Sequence, residues 1–138
     1  MIAYIDSSVL LRIVLGQPNR LAEWPRVTRG VSSALLVTEC LRTLDRLRVR
    51  AELSAQAIAI RREAVHRLAA EIDLMAVDEL VLGRAAQPLP VPLGTLDAIH
   101  LASALAFRES EIPDLVLTTH DQALGLAGRA SGLTVIGC

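Results

Sequence analysis

Four acidic residues lie at positions in this sequence where a divalent cation could be bound. Asp6 and Asp121 each follow a predicted strand, Asp97 lies in the first turn of a predicted helix, and Glu39 lies about one and a half turns into another helix. Carboxylate oxygens without His or Cys at ligand spacing suit hard ions such as Mg²⁺ or Mn²⁺. Two such ions could activate a water and stabilise the leaving oxygen of a phosphodiester. The residue types therefore indicate metal-dependent hydrolysis, with either one or two ions.

Each acid also has a simpler interpretation. Asp97 could stabilise the start of its helix, where unpaired N–H groups carry a partial positive charge. Glu39 borders an apolar stripe and could face solvent, because Glu is rarely buried without a partner. Four carboxylates gathered in one place, however, repel one another unless protons or cations intervene. A shared site is favoured only if the fold brings all four together.

The predicted elements alternate in a way that would bring them together. Strands are predicted at 2–5, 30–33, 72–77, 115–119 and 133–136, and helices at 7–15, about 21–27, 34–49, 54–70, 78–87, 95–112 and 122–130. This alternation predicts one α/β domain over residues 1–138, with a central parallel sheet and helices on both faces. Ligands of open α/β sheets bind beyond the carboxyl ends of the strands. That edge would hold Asp6 and Asp121, and Asp97 as well if its helix runs antiparallel to the sheet.

Composition excludes several other classes. The formal net charge is −1, and the three aromatic residues are too few to form a platform for stacking bases. All fourteen basic residues are Arg; Arg binds phosphate well, but GC-rich coding would give the same composition. No phosphate-binding loop of the G-x-x-x-x-G-K-[ST] or G-x-G-x-x-G type is present. No apolar run approaches a membrane span and no signal peptide is evident, so we expect a cytoplasmic protein with no membrane contact.

Four stretches carry a family resemblance. They are 4–10 (YIDSSVL), Glu39 in the second long helix, 95–102 (TLDAIHLA) and 117–124 (LTTHDQAL). In order, and over essentially the whole chain, they resemble the PIN-domain ribonucleases and, more closely, the VapC-type toxins of bacterial toxin–antitoxin pairs. The resemblance implies a PIN-like three-layer fold and a Mg²⁺-dependent endoribonuclease, with Mn²⁺ as a possible substitute. It also implies a homodimer and a small antitoxin that wraps a groove and blocks the site.

The same resemblance places the metal ligands at Asp6, Glu39, Asp97 and Asp121, the last of them bound either directly or through water. Several neighbouring residues are candidates for supporting roles, and they are Ser8, Thr95, Arg42, Arg46, His100 and His120. Ser8 could hold a water or a carboxylate in place, and Thr95 is expected to cap its helix while lying near the metal. Arg42 and Arg46 could contact RNA phosphates, although salt bridges to nearby acids would also explain them. Each histidine could orient a carboxylate or simply lie at the surface.

Two enzyme classes share the opening strand that ends in Asp. A haloacid-dehalogenase-like phosphatase usually has a second Asp two residues later, where this chain has Ser8, and also a basic residue that is usually Lys. A receiver domain needs a Lys beside its acidic pocket, and this chain has no Lys. A PIN-like module that binds RNA or protein without cleaving is the remaining alternative. The presence of all four acids favours cleavage. Apolar surface of the helices at 54–70 and 78–87 is predicted to form the antitoxin groove.

Overall fold

A computed structural model describes residues 1–138 as five strands and six α-helices. The strands are β1 (Ile2–Ile5), β2 (Arg29–Ser33), β3 (Ile72–Met75), β4 (Val116–Thr118) and β5 (Thr134–Ile136). The helices are α1 (Ser7–Val14), α2 (Leu35–Val49), α3 (Ala55–Ala69), α4 (Glu79–Ala85), α5 (Thr95–Ser110) and α6 (Gln122–Ala130). The α/β class predicted from the alternation of elements is confirmed.

The five strands form one sheet with β1 at its centre. The strand order is β3-β2-β1-β4-β5, and every neighbouring pair is parallel. Tyr4 in β1 is in register with Val31 in β2 and Leu117 in β4. Because all strands run in the same direction, their carboxyl ends meet at one edge. The loops after β1 and β4 are therefore neighbours, and the backbone N–H of Asp6 donates to the Thr118 carbonyl at 3.1 Å.

Each face of the sheet is covered by helices because the strand residues alternate between the two faces. In β1, Ala3 and Ile5 pack on the side that holds the buried residues of α1, α2 and α3. Tyr4 points to the other side, where it joins Leu101 of α5 and Leu124 of α6. Both layers are apolar, and α5 in particular is buried along most of its length. The helical layers hold the acid-bearing loops rigidly against the sheet.

Most elements are shorter than predicted by one residue or more, including the following three. The helix expected at about 21–27 is only a 3₁₀ turn, Trp24–Arg26, where Pro25 removes a backbone donor. The strand expected to reach Val77 ends at Met75, because its neighbour β2 ends at Ser33 and offers no further pairing. Helix α4 ends at Ala85 rather than at residue 87.

Helix α4 packs along α5 rather than on the sheet. Val81 contacts Ile99 and Ala102, and the guanidinium of Arg84 donates two hydrogen bonds, of 2.5 and 2.7 Å, to the carboxylate of Glu109. No helix has the combination of length and apolar character that crossing a membrane requires.

Candidate active site

Asp6 is the most firmly held of the four acids. It is the residue before α1, its side chain is buried, and its Oδ2 accepts hydrogen bonds from the Ser8 backbone N–H and the Ser8 hydroxyl. Thr119 Oγ1 donates a third bond to the same oxygen at 2.9 Å. Oδ1 receives no hydrogen bond and lies 4.0 Å from His100 Nε2. One oxygen of Asp6 is thus fixed by the protein, and the other is left without a hydrogen bond beside His100.

Thr119 has no role in the sequence-based prediction, yet it joins two of the acids. Its side chain is fully buried, and while its hydroxyl donates to Asp6 it accepts the backbone N–H of Asp121 at 2.9 Å. A Thr two residues before an Asp forms a local turn of this kind, so the signal was present in the sequence. Ser8 Oγ also accepts the backbone N–H of His120 at 2.9 Å. The loops after β1 and β4 are therefore fastened together at the site.

Asp97 lies in the first turn of α5, where the charges of the other three acids act on it. Burial raises the pKa of its carboxyl, and the negative charges of Asp121, Asp6 and Glu39 raise it further, against the opposing effect of His100. The helix does not need Asp97 as a cap, since it begins after Gly94 without any side-chain cap. Asp97 is thus a partly buried carboxyl among like charges.

The prediction that Thr95 caps α5 is wrong. Gly94 holds the capping position, and Thr95 is the first helical residue, with an exposed side chain. A capping residue has an extended backbone, from which its side chain accepts a hydrogen bond from the first turn. Thr95 has a helical backbone and therefore cannot take this role.

Glu39 lies in the second turn of α2 and is paired with a histidine. Its Oε2 lies 2.5 Å from His100 Nε2, and only 16% of its side chain is exposed. His100 is fully buried one turn after Asp97 on α5, and its Nδ1 lies 2.8 Å from the hydroxyl of Tyr4. Burial alone lowers the pKa of His100, but the hydrogen bond to Glu39 and the charges of Asp6, Glu39 and Asp97 raise it overall. His100 is a buried partner of the acids, which excludes the surface interpretation.

Asp121 combines two positions. It precedes α6, and its Oδ1 accepts the Leu124 backbone N–H at 2.8 Å, as an N-terminal cap does. Among the neighbouring acids, Asp121 is also the one whose negative charge raises the pKa of Asp97 most. The neighbouring His120 is turned away: its Nδ1 lies 2.7 Å from the Gly137 carbonyl, to which it donates. The acid, rather than the histidine, faces the site.

The four candidate acids have no Arg partner. None of Asp6, Glu39, Asp97 and Asp121 forms an ion pair with an arginine, and the basic side chain nearest to Asp6 and Glu39 is His100. In the arrangement described, no three His, Cys, Asp or Glu side chains are close enough to form a closed set of ligands around one ion. The donors nevertheless fit a hard cation chemically, because a free Asp6 oxygen and a carboxyl destabilised by like charges both gain from positive charge.

A polar cavity continues from Glu39 along α2. It has a volume of about 370 Å³ and is lined by Ser7, Leu35, Thr38, Glu39, Arg42, Thr43, Arg46 and Leu96. Arg42 lies 3.6 Å from Asp45, and the nearest side-chain partner of Arg46 is the Thr43 hydroxyl at 2.7 Å. The expected salt bridges therefore account for Arg42 but not for Arg46, which pairs with no acid.

An apolar groove lies on another part of the surface. Its volume is about 510 Å³, and it runs between the end of α4, the proline-containing segment and the start of α5. Leu82, Leu89, Val91, Leu93 and Ile99 are among its lining residues. Helix α3 contributes no residue to it, so of the two helices predicted to form a partner groove only α4 does so.

Comparison with known proteins agrees with this geometry. The PIN domain family model matches residues 3–126, a range that contains all four acids. The chain is also 35% identical over 136 residues to Ribonuclease VapC46 of Mycobacterium tuberculosis (strain ATCC 25618 / H37Rv). The aligned region covers 96% of this chain and 95% of that protein. With the parallel sheet and the placement of the acids, these matches show that the chain belongs to the PIN-domain family, among its VapC-type members.

Proposed function

We propose that this protein is a metal-dependent endoribonuclease and the toxin of a type II toxin–antitoxin pair. The observation that carries the proposal is that three carboxylates from three other parts of the chain, Asp6, Glu39 and Asp121, act on the charge of Asp97. A protein gains no stability from holding unpaired like charges together, so such a cluster indicates a cationic ligand. The name of its relative, a ribonuclease, supports RNA as the substrate.

Asp6, Glu39, Asp97 and Asp121 are the residues that would hold Mg²⁺ or Mn²⁺. When bound, the ion would activate the attacking water and stabilise the leaving oxygen of the phosphodiester. Ser8 and Thr119 hold Asp6 through its Oδ2 and leave Oδ1 free for the ion. Thr95, two residues before Asp97, lines the neighbouring apolar groove. The Ser8 hydroxyl is held by Asp6, and burial raises the pKa of the Cys40 thiol, which supports direct attack by water rather than a covalent intermediate.

Arg42 and Arg46 would contact the RNA backbone next to the cleaved bond. They are one helical turn apart, on the face of α2 that continues from Glu39, and both line the polar cavity. Arg46 pairs with no acid and would gain most from a phosphate. With only three aromatic residues in the chain, phosphate contacts are favoured over base stacking.

The apolar groove beside α4 would receive a helix of the antitoxin. A groove lined mainly by Leu, Val and Ala side chains suits the apolar face of an amphipathic helix. The homodimer implied by the family resemblance is part of the same proposal, as is a cytoplasmic location, where the RNA substrate is found.

The proposal is tested by RNA cleavage with antitoxin-free protein. Wild-type protein, Asp6→Asn and Asp97→Asn are each incubated with structured RNAs and Mg²⁺ or Mn²⁺, with and without EDTA. Asp114→Asn is the matched control, because Asp114 is exposed and makes no salt bridge. We expect cleavage by wild type and the control only, and none in EDTA. Full activity of Asp97→Asn would refute the assignment, and RNA binding without any cleavage by wild type would establish the non-catalytic alternative.

The proposed role of the arginines is tested separately by RNA affinity. The double variant Arg42→Gln/Arg46→Gln should bind RNA more weakly, and its affinity should depend less on salt, with the slope of log K against log salt reduced by about 1.4 for two lost phosphate contacts. Arg62→Gln/Arg67→Gln, which removes two exposed arginines of α3, is the control. An equal effect of both double variants would contradict a specific track along α2.

A further inference from the structure

Three buried polar groups from three elements form a continuous chain that ends at Glu39. Tyr4 of β1 and His100 of α5 are both completely buried, and Glu39 comes from α2. The Tyr4 hydroxyl lies 2.8 Å from His100 Nδ1, and His100 Nε2 lies 2.5 Å from Glu39 Oε2. A buried histidine with both ring nitrogens paired is held in one orientation.

The backbone contact of Tyr4 is compatible with one direction for these hydrogen bonds. The Ser33 N–H donates to the Tyr4 oxygen at 3.1 Å, so the Tyr4 hydroxyl hydrogen is free to donate to His100 Nδ1. With Nδ1 as the acceptor, a neutral imidazole carries its hydrogen on Nε2 and donates it to Glu39. His100 thus supplies a donor to Glu39 without needing to be charged. Because Nε2 bears that hydrogen, His100 is unsuited to be a metal ligand itself.

Glu39 depends on this contact more than the other acids depend on theirs. Asp6 is fixed by three donors and Asp121 by a backbone N–H, whereas His100 gives Glu39 its single hydrogen bond. A Glu side chain loses up to about 2 kcal/mol of rotamer entropy when it is ordered. The edge-to-face packing of the Tyr4 and His100 rings, at 5.8 Å between centroids and 81°, gives the donor a rigid base.

We propose that Tyr4 and His100 are positioning residues that fix the Glu39 carboxylate in the orientation needed to bind a divalent cation. The proposal rests on the proposed function, in which Glu39 is a metal ligand. Hydrogen-bonded partners of metal-ligating side chains typically change metal affinity by about 10- to 100-fold when they are removed. These two contacts, from Tyr4 to His100 and from His100 to Glu39, form a relay that would supply that support from the interior of the protein.

Mn²⁺ binding measured by electron paramagnetic resonance, without RNA, tests the relay. We expect His100→Leu to weaken Mn²⁺ affinity about 10- to 100-fold, and His100→Gln, which keeps an N–H donor, to stay within a few-fold of wild type. Leu105→Met is the structural control, because Leu105 is a buried residue of the same helix α5 but lines neither the polar cavity nor the apolar groove. It should leave the affinity unchanged. Binding by His100→Leu equal to wild type would overturn the proposal.

Tyr4→Phe provides a second test that removes a single oxygen atom and no ring. Without the hydroxyl, His100 Nδ1 loses its donor, and the ring can turn a lone pair toward Glu39. We expect a weaker Mn²⁺ affinity than wild type, together with a change in the ¹⁵N shifts of His100 away from those of the Nε2–H form. Unchanged shifts and affinity would overturn the relay even if His100→Leu did not fold.

The same titrations separate the relay from the proposed function. If wild type binds Mn²⁺, Asp97→Asn does not, and His100→Leu binds like wild type, only the relay fails. If wild type binds no Mn²⁺, or if Asp97→Asn binds as well as wild type, the metal site itself is refuted.

Discussion

Thr119 and Thr118 are adjacent, fully buried residues at the end of β4, and they allow a sharp comparison. Thr119 donates to the Asp6 carboxylate at 2.9 Å and accepts the Asp121 N–H at 2.9 Å. Thr118 donates only to the Tyr4 backbone carbonyl, at 2.8 Å. Replacing either residue with Val keeps the side-chain shape and removes the hydroxyl. The two variants therefore differ in what the lost hydroxyl held.

The expected cost follows from these partners. A hydrogen bond to a charged group contributes about 1.5–3 kcal/mol, and a neutral one about 0.5–1.5 kcal/mol. Thr119→Val also leaves the Asp121 N–H without its partner, although Ser8 still donates to Asp6. We therefore expect Thr119→Val to lower the free energy of unfolding by about 2–3 kcal/mol and Thr118→Val by about 1 kcal/mol.

Activity should separate the variants more strongly than stability. Asp6 loses part of its support in Thr119→Val, so we expect RNA cleavage to fall about 10- to 100-fold, as for other partners that orient metal ligands. Thr118→Val should cleave like wild type. Urea unfolding gives the stabilities, and cleavage is then compared at a temperature where both variants are folded. Equal cleavage by the two variants would refute the role assigned to Thr119.

Three further outcomes follow from packing and charge. Gly128→Ala places a methyl group 2.6 Å from Leu117 of β4 and should lower the free energy of unfolding by about 1–3 kcal/mol. Gly83→Ala meets no atom within 4 Å and should raise it by about 0.5–1 kcal/mol, and urea unfolding of both variants checks the contrast. Native protein should react with a thiol reagent at Cys138 but not at the buried Cys40, and denatured protein at both; two reactive thiols before unfolding would contradict the burial. Arg84 of α4 pairs with Glu109 and lowers the pKa of its carboxyl from the usual 4.5. Above that pH, wild type should be more stable than Glu109→Gln by no more than about 1 kcal/mol, because the pair is exposed and screened. The difference should be lost as the pH falls through the lowered pKa.

Much of the fold follows from local sequence. The alternation of short apolar runs with amphipathic stretches predicts the order of all five strands and six helices, because each element has its own period and its own start or stop residues. The exceptions are local as well: Pro25 limits a predicted helix to one 3₁₀ turn, and Thr95 lies one residue inside the helix it was expected to cap. Boundaries depend on which backbone groups find partners, which a period does not reveal.

The candidate site was likewise predictable from the sequence only in part. The residue types of Asp6, Glu39, Asp97 and Asp121 and their places after strands or within helices indicate the chemistry from sequence alone, because parallel strands must bring their carboxyl ends to one edge. The roles of Tyr4 and His100 could not be predicted in this way, and for Thr119 the sequence indicates the local turn to Asp121 but not the contact with Asp6. Tyr4 and His100 are 96 residues apart.

Their contact exists only because β1 is the central strand and α5 packs across it. Sequence fixes each residue's chemistry and its local element, but hydrogen bonds between distant residues arise from packing. For this protein, the sequence determined the fold class and the acids, and the tertiary structure decided which buried donors hold them.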